Sequence, residues 1–294
     1  MSLRMQKLIL PLVPPAVAAL ATRLMPISAL EAYRKRTNDV AVVSYPCSGR
    51  TWLRLMLGAA IHSIDGAAKG NPREAYELHH AAYRNPKVPR IYFTHDGEPY
   101  YQAPHKLRID RREYAGRRIV LLARDPRDTL VSWYHELVRR GFGTSGKKAF
   151  DGSLEEFVAC EWGSIETIIA FNNMWMAHAD LGRSFTLIRY EDLKADTFAA
   201  LRGLCDAIGL GDVTDACLRD AVAFGDFDNM RRMETDNDLN WSAFRPADRD
   251  DPESYKTRKG QVGGYREELP AAAVKKLDAL VRETSDPRLG YSSS

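Results

Sequence analysis

At 294 residues, with 45% hydrophobic and 28% charged side chains, the chain has the composition of a soluble globular protein and is long enough for one α/β domain or two small ones. A formal net charge of +3 is too small to argue for nucleic acid, but it suits a local basic pocket for a small anion. The four cysteines, Cys47, Cys160, Cys205 and Cys217, form no CxxC pair, which argues against zinc and a disulfide framework and makes a reducing compartment the default.

In chain order, Leu8 to Ala21 is apolar and follows Arg4 and Lys7 in the manner of a signal peptide, but Pro11, Pro14 and Pro15 interrupt it and it is too short to span a bilayer. Residues 1–36 are expected to form an apolar arm or helix ahead of a domain over 37–294. Packing on that domain, contact with a membrane surface or partner, and cleavage are the three readings of the arm. The β-branched run Asp39 to Ser44 predicts a buried strand, and Thr51 to Ile64 sets Leu53, Leu57, Ala60 and Ile61 at helical spacing. Further strands are expected at Arg90–His95, Arg117–Ala123 and Phe185–Tyr190. A helix capped by Asp125, with Pro126 in its first turn, should run to about Arg140, and another from about Leu193 to Ile208. Helices between strands imply a central parallel sheet, with the loops after Ser44, Thr94, Ala123 and Ile188 meeting on one rim. Gly141–Gly152 reads as a mobile loop. The charged Phe227–Lys259 stretch reads as a lid or a disordered insertion with only short helical pieces.

The chemistry lies on that rim. Tyr45-Pro46-Cys47-Ser48-Gly49-Arg50-Thr51-Trp52 joins a strand to a helix, where unpartnered N–H groups and the helix dipole favour an anion. Gly49 lets backbone approach a ligand, and Ser48 and Thr51 add hydroxyl donors. It is not a Walker loop, because no lysine precedes Thr51. The alternative is an ordinary turn capped by Ser48. Arg124, at a strand end, could fork onto a phosphate beside the Ser132 hydroxyl, or pair with Asp125 or Asp128. His95 ends a strand on the same rim, either as general base or as a structural imidazole. Arg258-Lys259-Gly260 adds two cations that are otherwise a solvated loop.

These motifs, with Tyr190-Glu191-Asp192-Leu193, follow the order seen in cytosolic-type sulfotransferases, which the chain resembles from about Val40 to Arg266. The resemblance implies a single domain with a central parallel sheet flanked by helices, and 3′-phosphoadenosine-5′-phosphosulfate (PAPS) as donor, without a metal. It assigns the first loop to the 5′-phosphosulfate and Trp52 to adenine stacking. Arg124, Ser132, Arg258, Lys259 and Gly260 fall to the 3′-phosphate, Tyr190 and Phe227 to the border of the adenine, and His95 to the acceptor proton. The acceptor would be a hydroxyl or amine of a small molecule, and a cytoplasmic location follows, with membrane association and a homodimer left open. Two positions depart from the family: Cys47 and Phe93 stand where lysines are usual. Arg50 is the expected substitute for the first, with Lys106 and Arg108 as alternatives, and the helix N-terminus should lower the Cys47 thiol pKa. The departures keep a silent PAPS or PAP binder in view, which would bind PAP and transfer nothing. A nucleotide-dependent phosphotransferase would need the missing loop lysine and a magnesium-holding set. Tyr100, Tyr101, Phe142, Trp162, Trp175, Trp241 and Phe244 are candidate walls for an acceptor, or else core residues.

Overall fold

The computed structural model describes residues 26–65, 71–141, 149–239 and 244–292. Four apolar runs form β1 (Val40–Ser44), β2 (Ile91–Thr94), β3 (Arg118–Ala123) and β4 (Ser184–Arg189), all parallel, in the order β2-β1-β3-β4. The expected strands are met to within a residue or so at each end. The start of β1 is set by the Asp39 carboxylate, which accepts the Arg90 backbone N–H at 2.9 Å and its guanidinium at 2.7 Å.

Both faces of this sheet are covered, which is why its strands read as continuous apolar runs rather than alternating ones. The main helices are α1 (Ile27–Thr37), α2 (Arg50–Asp65), α3 (Pro126–His135), α4 (Ile165–Ala177), α5 (Thr197–Ile208), α6 (Asp215–Phe224), α7 (Phe227–Asp236) and α8 (Ala271–Thr284). Ala41, Val43, Ile119 and Leu121 share a cluster with Trp133 of α3, Trp175 of α4 and Val281 of α8. Val40, Val42, Val120 and Leu122 pack instead with Leu53 and Leu57 of α2, Leu204 of α5 and Leu218 of α6. With each fully buried aliphatic side chain contributing about 1.5–3 kcal/mol, these two layers fix where the strands end. The chain leaves β1 for β2 on one side and then returns to β3 on the other. The crevice between the β1 and β3 loops is therefore the switch point at which open α/β sheets bind ligands.

Three expectations change. The helix capped by Asp125 is α-helical only to His135 and continues as a wider π-turn over Glu136–Arg140, which brings Arg140 against Glu136 and Glu234. The expected Leu193–Ile208 helix is two, Tyr190–Ala195 and α5, because the Asp196 carboxylate caps Ala199 and restarts the chain. The described parts of the charged segment, 227–239 and 244–259, are not a disordered insertion: they open with the ten-residue α7, whose Met230 and Met233 are buried with Leu55 and Phe244. At the other end, Arg117 donates to the Arg36 carbonyl at 2.9 Å and ties α1 to the domain. The expected arm before residue 26, the mobile loop over 142–148, and Phe142 and Trp241 lie outside the described residues. No described helix is long and apolar enough to cross a membrane.

Candidate active site

A cavity of about 1000 Å³ opens on the β1–β3 crevice. Its floor is the turn into α2. Cys47 and Gly49 both have positive φ, at 64° and 91°, and a Cβ on Gly49 would meet the Tyr190 ring at 2.7 Å. Backbone conformation and a close ring together require glycine there. Pro46, Cys47, Gly49, Arg50, Thr51 and Trp52 line the cavity. Two expected contacts do not: the Ser48 side chain is buried, and Tyr45 points into the core with its ring edge on Phe171 at 5.7 Å. Tyr45 still continues the strand's in-and-out alternation, so its position in the motif marks the backbone path rather than an exposed ring.

Arg124 leaves the end of β3 and reaches across the crevice. Its Nη1 donates to the Cys47 carbonyl at 3.0 Å and to Ser132 Oγ at 3.1 Å, while Nη2 donates to the Gln261 carbonyl at 3.1 Å. The guanidinium lies over the Tyr190 ring at 4.4 Å. The alternative carboxylates are engaged elsewhere. Asp125 holds Arg127 at 2.6 Å, and Asp128 accepts the Gly263 and Tyr265 N–H groups at 2.7 and 3.0 Å, leaving Arg124 at 4.0 Å. Trp52 donates to the Gly225 carbonyl at 2.7 Å and meets the Tyr190 ring edge-to-face at 5.7 Å. Gly260, at φ 61°, admits the Phe227 ring where a Cβ would come within 2.9 Å. Trp52, Tyr190 and Phe227 all line the same cavity.

Arg258 and Lys259 also line the cavity, but they are not a solvated loop. Glu268 accepts from Arg258 at 2.7 Å, Lys259 at 2.9 Å and His135 at 2.7 Å, and Arg258 reaches Glu253 at 2.9 Å. Burial pushes the Glu268 carboxyl up, but the hydrogen bonds from His135, Lys259 and Arg258 outweigh it and hold the pKa at about 2. His135, Glu253 and Glu268 bring their ligand atoms within 4.8 Å of one another, a carboxylate grouping the sequence did not reveal. The two carboxylates are already neutralised by Arg258 and Lys259.

His95 follows β2 and also lines the cavity. Its Nδ1 lies 2.8 Å from the Ser44 carbonyl, which can only accept, so Nδ1 carries the proton and Nε2 is the basic nitrogen. Burial, then the Arg50 charge, lower the imidazole pKa well below 6.5, against the Ser44 hydrogen bond that raises it. Arg50 shares the cavity, and no described carboxylate pairs with it. Lys106, Arg108 and His105 do not line the cavity, and Arg108 is taken by Glu113 and by Asp96 at 3.7 Å. The expected low thiol pKa at Cys47 is reversed. Burial and the Glu136 charge push it up to about 12, against Lys256, Arg124 and Arg140, because desolvation of a thiolate exceeds the help of a helix end. Beside His95 stands Tyr100, edge-on at 5.9 Å, with Tyr101 4.7 Å further on and Trp162 6.3 Å from Tyr101. Trp175 and Phe244 are core.

Sequence reasoning missed Glu136, Arg140 and Lys256 in the cavity wall, and Gln261 as an Arg124 partner. The four-residue spacing of Ser132, Glu136 and Arg140 was the available signal for the first two. Nothing local marks Lys256.

Residues 37–286 match the sulfotransferase domain family. Cytosolic sulfotransferase 17 of Arabidopsis thaliana is 25% identical over 85% of this chain and 75% of its own, and human sulfotransferase 2A1 is 25% identical over 84% of each. The amine sulfotransferase of Oryctolagus cuniculus is 22% identical over 86% and 83%. Among solved structures, mouse sulfotransferase SULT7A1 complexed with PAP superposes with a TM-score of 0.57 at 21% identity, covering 88% of each chain. A retinol dehydratase in complex with androsterone and the inactive cofactor PAP gives 0.54 at 16% identity, over 85% and 81%. With a parallel sheet, a strand-to-helix anion loop and a family match over most of its length, the chain belongs to the sulfotransferase family.

Proposed function

We propose that the protein transfers the sulfuryl group of PAPS to a hydroxyl or amine of a small-molecule acceptor, with His95 as general base. The observation that carries this is the meeting, in one cavity, of the α2 N-terminal loop, the Arg124–Ser132 pair and a neutral His95. A donor with anionic groups at both ends of a ribose needs two cation sites and aromatic surface for its base, and the residues lining the cavity include candidates for each. The loop from Tyr45 to Trp52 serves the 5′-phosphosulfate, through backbone at Tyr45 and Ser48. Arg124, Ser132, Arg258, Lys259 and Gly260 serve the 3′-phosphate. Trp52, Tyr190 and Phe227 hold the adenine. His95 Nε2 takes the acceptor proton as the acceptor atom attacks sulfur, and the Ser44 carbonyl keeps Nε2 as the basic position. Arg50, whose charge helps to keep His95 neutral, faces the transferring group.

Residues 37–294 form the catalytic unit and 1–36 an appended arm. The names of the plant relatives favour the cytoplasm. A panel of phenols, alcohols, sugars and amines with radiolabelled PAPS tests the reading. Transfer to at least one class is expected. A protein that PAP stabilises against heat, but that labels no acceptor, would be a silent binder instead.

A further inference from the structure

The loop of this chain carries a cysteine where a cation would meet the leaving phosphate, and the wall facing it has one. Beyond burial, the charges that act on the Cys47 thiol are those of Glu136, Lys256, Arg124 and Arg140. The Arg50 charge acts on His95, as does that of Lys256, and both side chains line the cavity with Cys47. Two of the three cations facing Cys47 are committed. Arg124 spans Cys47 O, Ser132 and Gln261, and Arg140 holds Glu136 at 3.2 Å, Glu234 at 3.2 Å and the Ser254 carbonyl at 2.7 Å. Lys256 makes one loose ion pair, its Nζ 3.6 Å from Glu136.

Its backbone is fixed nevertheless. The wholly buried Glu234 carboxylate accepts the Lys256 N–H at 2.5 Å and the Thr257 N–H at 2.8 Å. The ammonium is therefore delivered into the cavity from a clamped segment, on a stem free to move the short way from Glu136 to a stronger anion.

We propose that Lys256 is the cation that replaces the absent loop lysine, donating to the oxygen that bridges sulfur and the 5′-phosphate. This rests on reading the cavity as a PAPS-dependent transfer site. In that step the acceptor atom forms its bond to sulfur and gives its proton to His95. The bond from sulfur to the bridging oxygen breaks, and its electron pair stays on that oxygen, now a terminal oxygen of the 5′-phosphate of PAP. Negative charge develops on that oxygen and spreads over the 5′-phosphate as the bond breaks, so an ammonium positioned there stabilises the transition state more than the ground state.

Binding and turnover test this separately. Adenosine 3′-phosphate lacks the 5′ group, so in calorimetric titrations Lys256→Ala should lose about tenfold for PAP, as one charge-assisted hydrogen bond implies, and nothing for adenosine 3′-phosphate. Transfer from labelled PAPS should fall about a hundredfold, the usual cost of one such donor. Adding Cys47→Lys to Lys256→Ala should recover at least about a tenth of the parent rate, since the charge returns from the opposite wall. Equal losses for both ligands, no loss for either, or no recovery in the double variant would overturn the assignment. A parent that binds PAP but sulfates no acceptor would sink the transfer reading alone, and the contrast between PAP and adenosine 3′-phosphate would still decide where Lys256 points.

Discussion

Replacing Arg124 isolates the 3′-phosphate site. The side chain is preorganised, pinned by the Cys47 carbonyl, Ser132 Oγ and the Gln261 carbonyl at 3.0 to 3.1 Å and lying over Tyr190, so a phosphate meets a guanidinium already in place. Hydrogen bonds to charged groups contribute about 1.5–3 kcal/mol, which converts to about 10- to 150-fold in affinity. Arg124→Ala should cost that much for PAP. Adenosine-5′-phosphosulfate has no 3′-phosphate, and should lose only what comes from loosening the Cys47 and Gln261 carbonyls. Because that structural loss is common to both ligands, the ratio of the two dissociation constants measures the phosphate contact itself. Arg124→Lys keeps the charge but cannot make three hydrogen bonds from a planar fork, and should fall between parent and alanine variant. Calorimetry with both ligands on all three proteins is the assay. Equal losses for PAP and adenosine-5′-phosphosulfate would falsify the assignment.

His95→Ala should lower turnover about a hundredfold or more and leave PAP affinity nearly unchanged; an active variant would move the base elsewhere. In the parent, the acid limb of kcat/KM should lie below the ordinary histidine value of 6.5, because the folded imidazole resists protonation. The same lowered pKa means that its contribution to stability is present above 6.5 and is lost as pH falls, when the unfolded chain takes up the proton first. Gly260→Ala forces a Cβ to within 2.9 Å of Phe227 at a positive φ, so PAP should bind about tenfold more weakly; unchanged affinity would remove Phe227 from the adenine contacts. Glu268, held at about 2 rather than 4.5, should contribute up to about 3 kcal/mol at neutral pH. Its pKa is depressed in the fold, so that stability fades as pH falls from 4.5 through 2, and Glu268→Gln should lower the melting temperature at pH 7 but not near pH 2.

The strands were legible because they are buried on both faces: Val40 to Val43 alternate between two apolar layers and read as one unbroken run. The rim chemistry was legible because the strand-to-helix junction and the strand end at Arg124 are local features, and the sheet order brings them together. What escaped was chemistry made by distant segments. The rise of the Cys47 pKa comes from burial and from Glu136, a residue on another helix, neither of which the loop sequence contains. Phe227–Lys259 looked irregular because its charges are spent inward: Glu234 is fully buried, accepting from Arg140 and two backbone N–H groups, so polarity here marks a packed segment. The resemblance assigns Tyr45, as part of the first loop, to the 5′-phosphosulfate, but a residue that continues a buried strand's alternation faces the core.

The net charge of the chain understated what the cavity does with its charge. Among the described residues, eight lysines and arginines line it against four acidic side chains, a surplus of four in one concavity, while the whole sequence carries only +3. The remainder of the molecule is thus close to neutral, and the positive potential is focused where low-dielectric walls concentrate it. The acidic residues in and beside that wall do not cancel the effect. Asp128 is spent on two backbone N–H groups, Glu136 holds Arg140, and Glu253 and Glu268 hold Arg258 and Lys259, while Lys256 keeps only its loose pair with Glu136. A cation pinned by a carboxylate gives up part of its field but needs little reorganisation when an anion arrives, and in a transfer reaction that preorganisation matters more than raw attraction. A clamped backbone also lets a lysine from one wall stand in for a lysine missing from the other: what the leaving oxygen requires is a positive charge within reach of its position, and the Glu234-held segment delivers the Lys256 stem there.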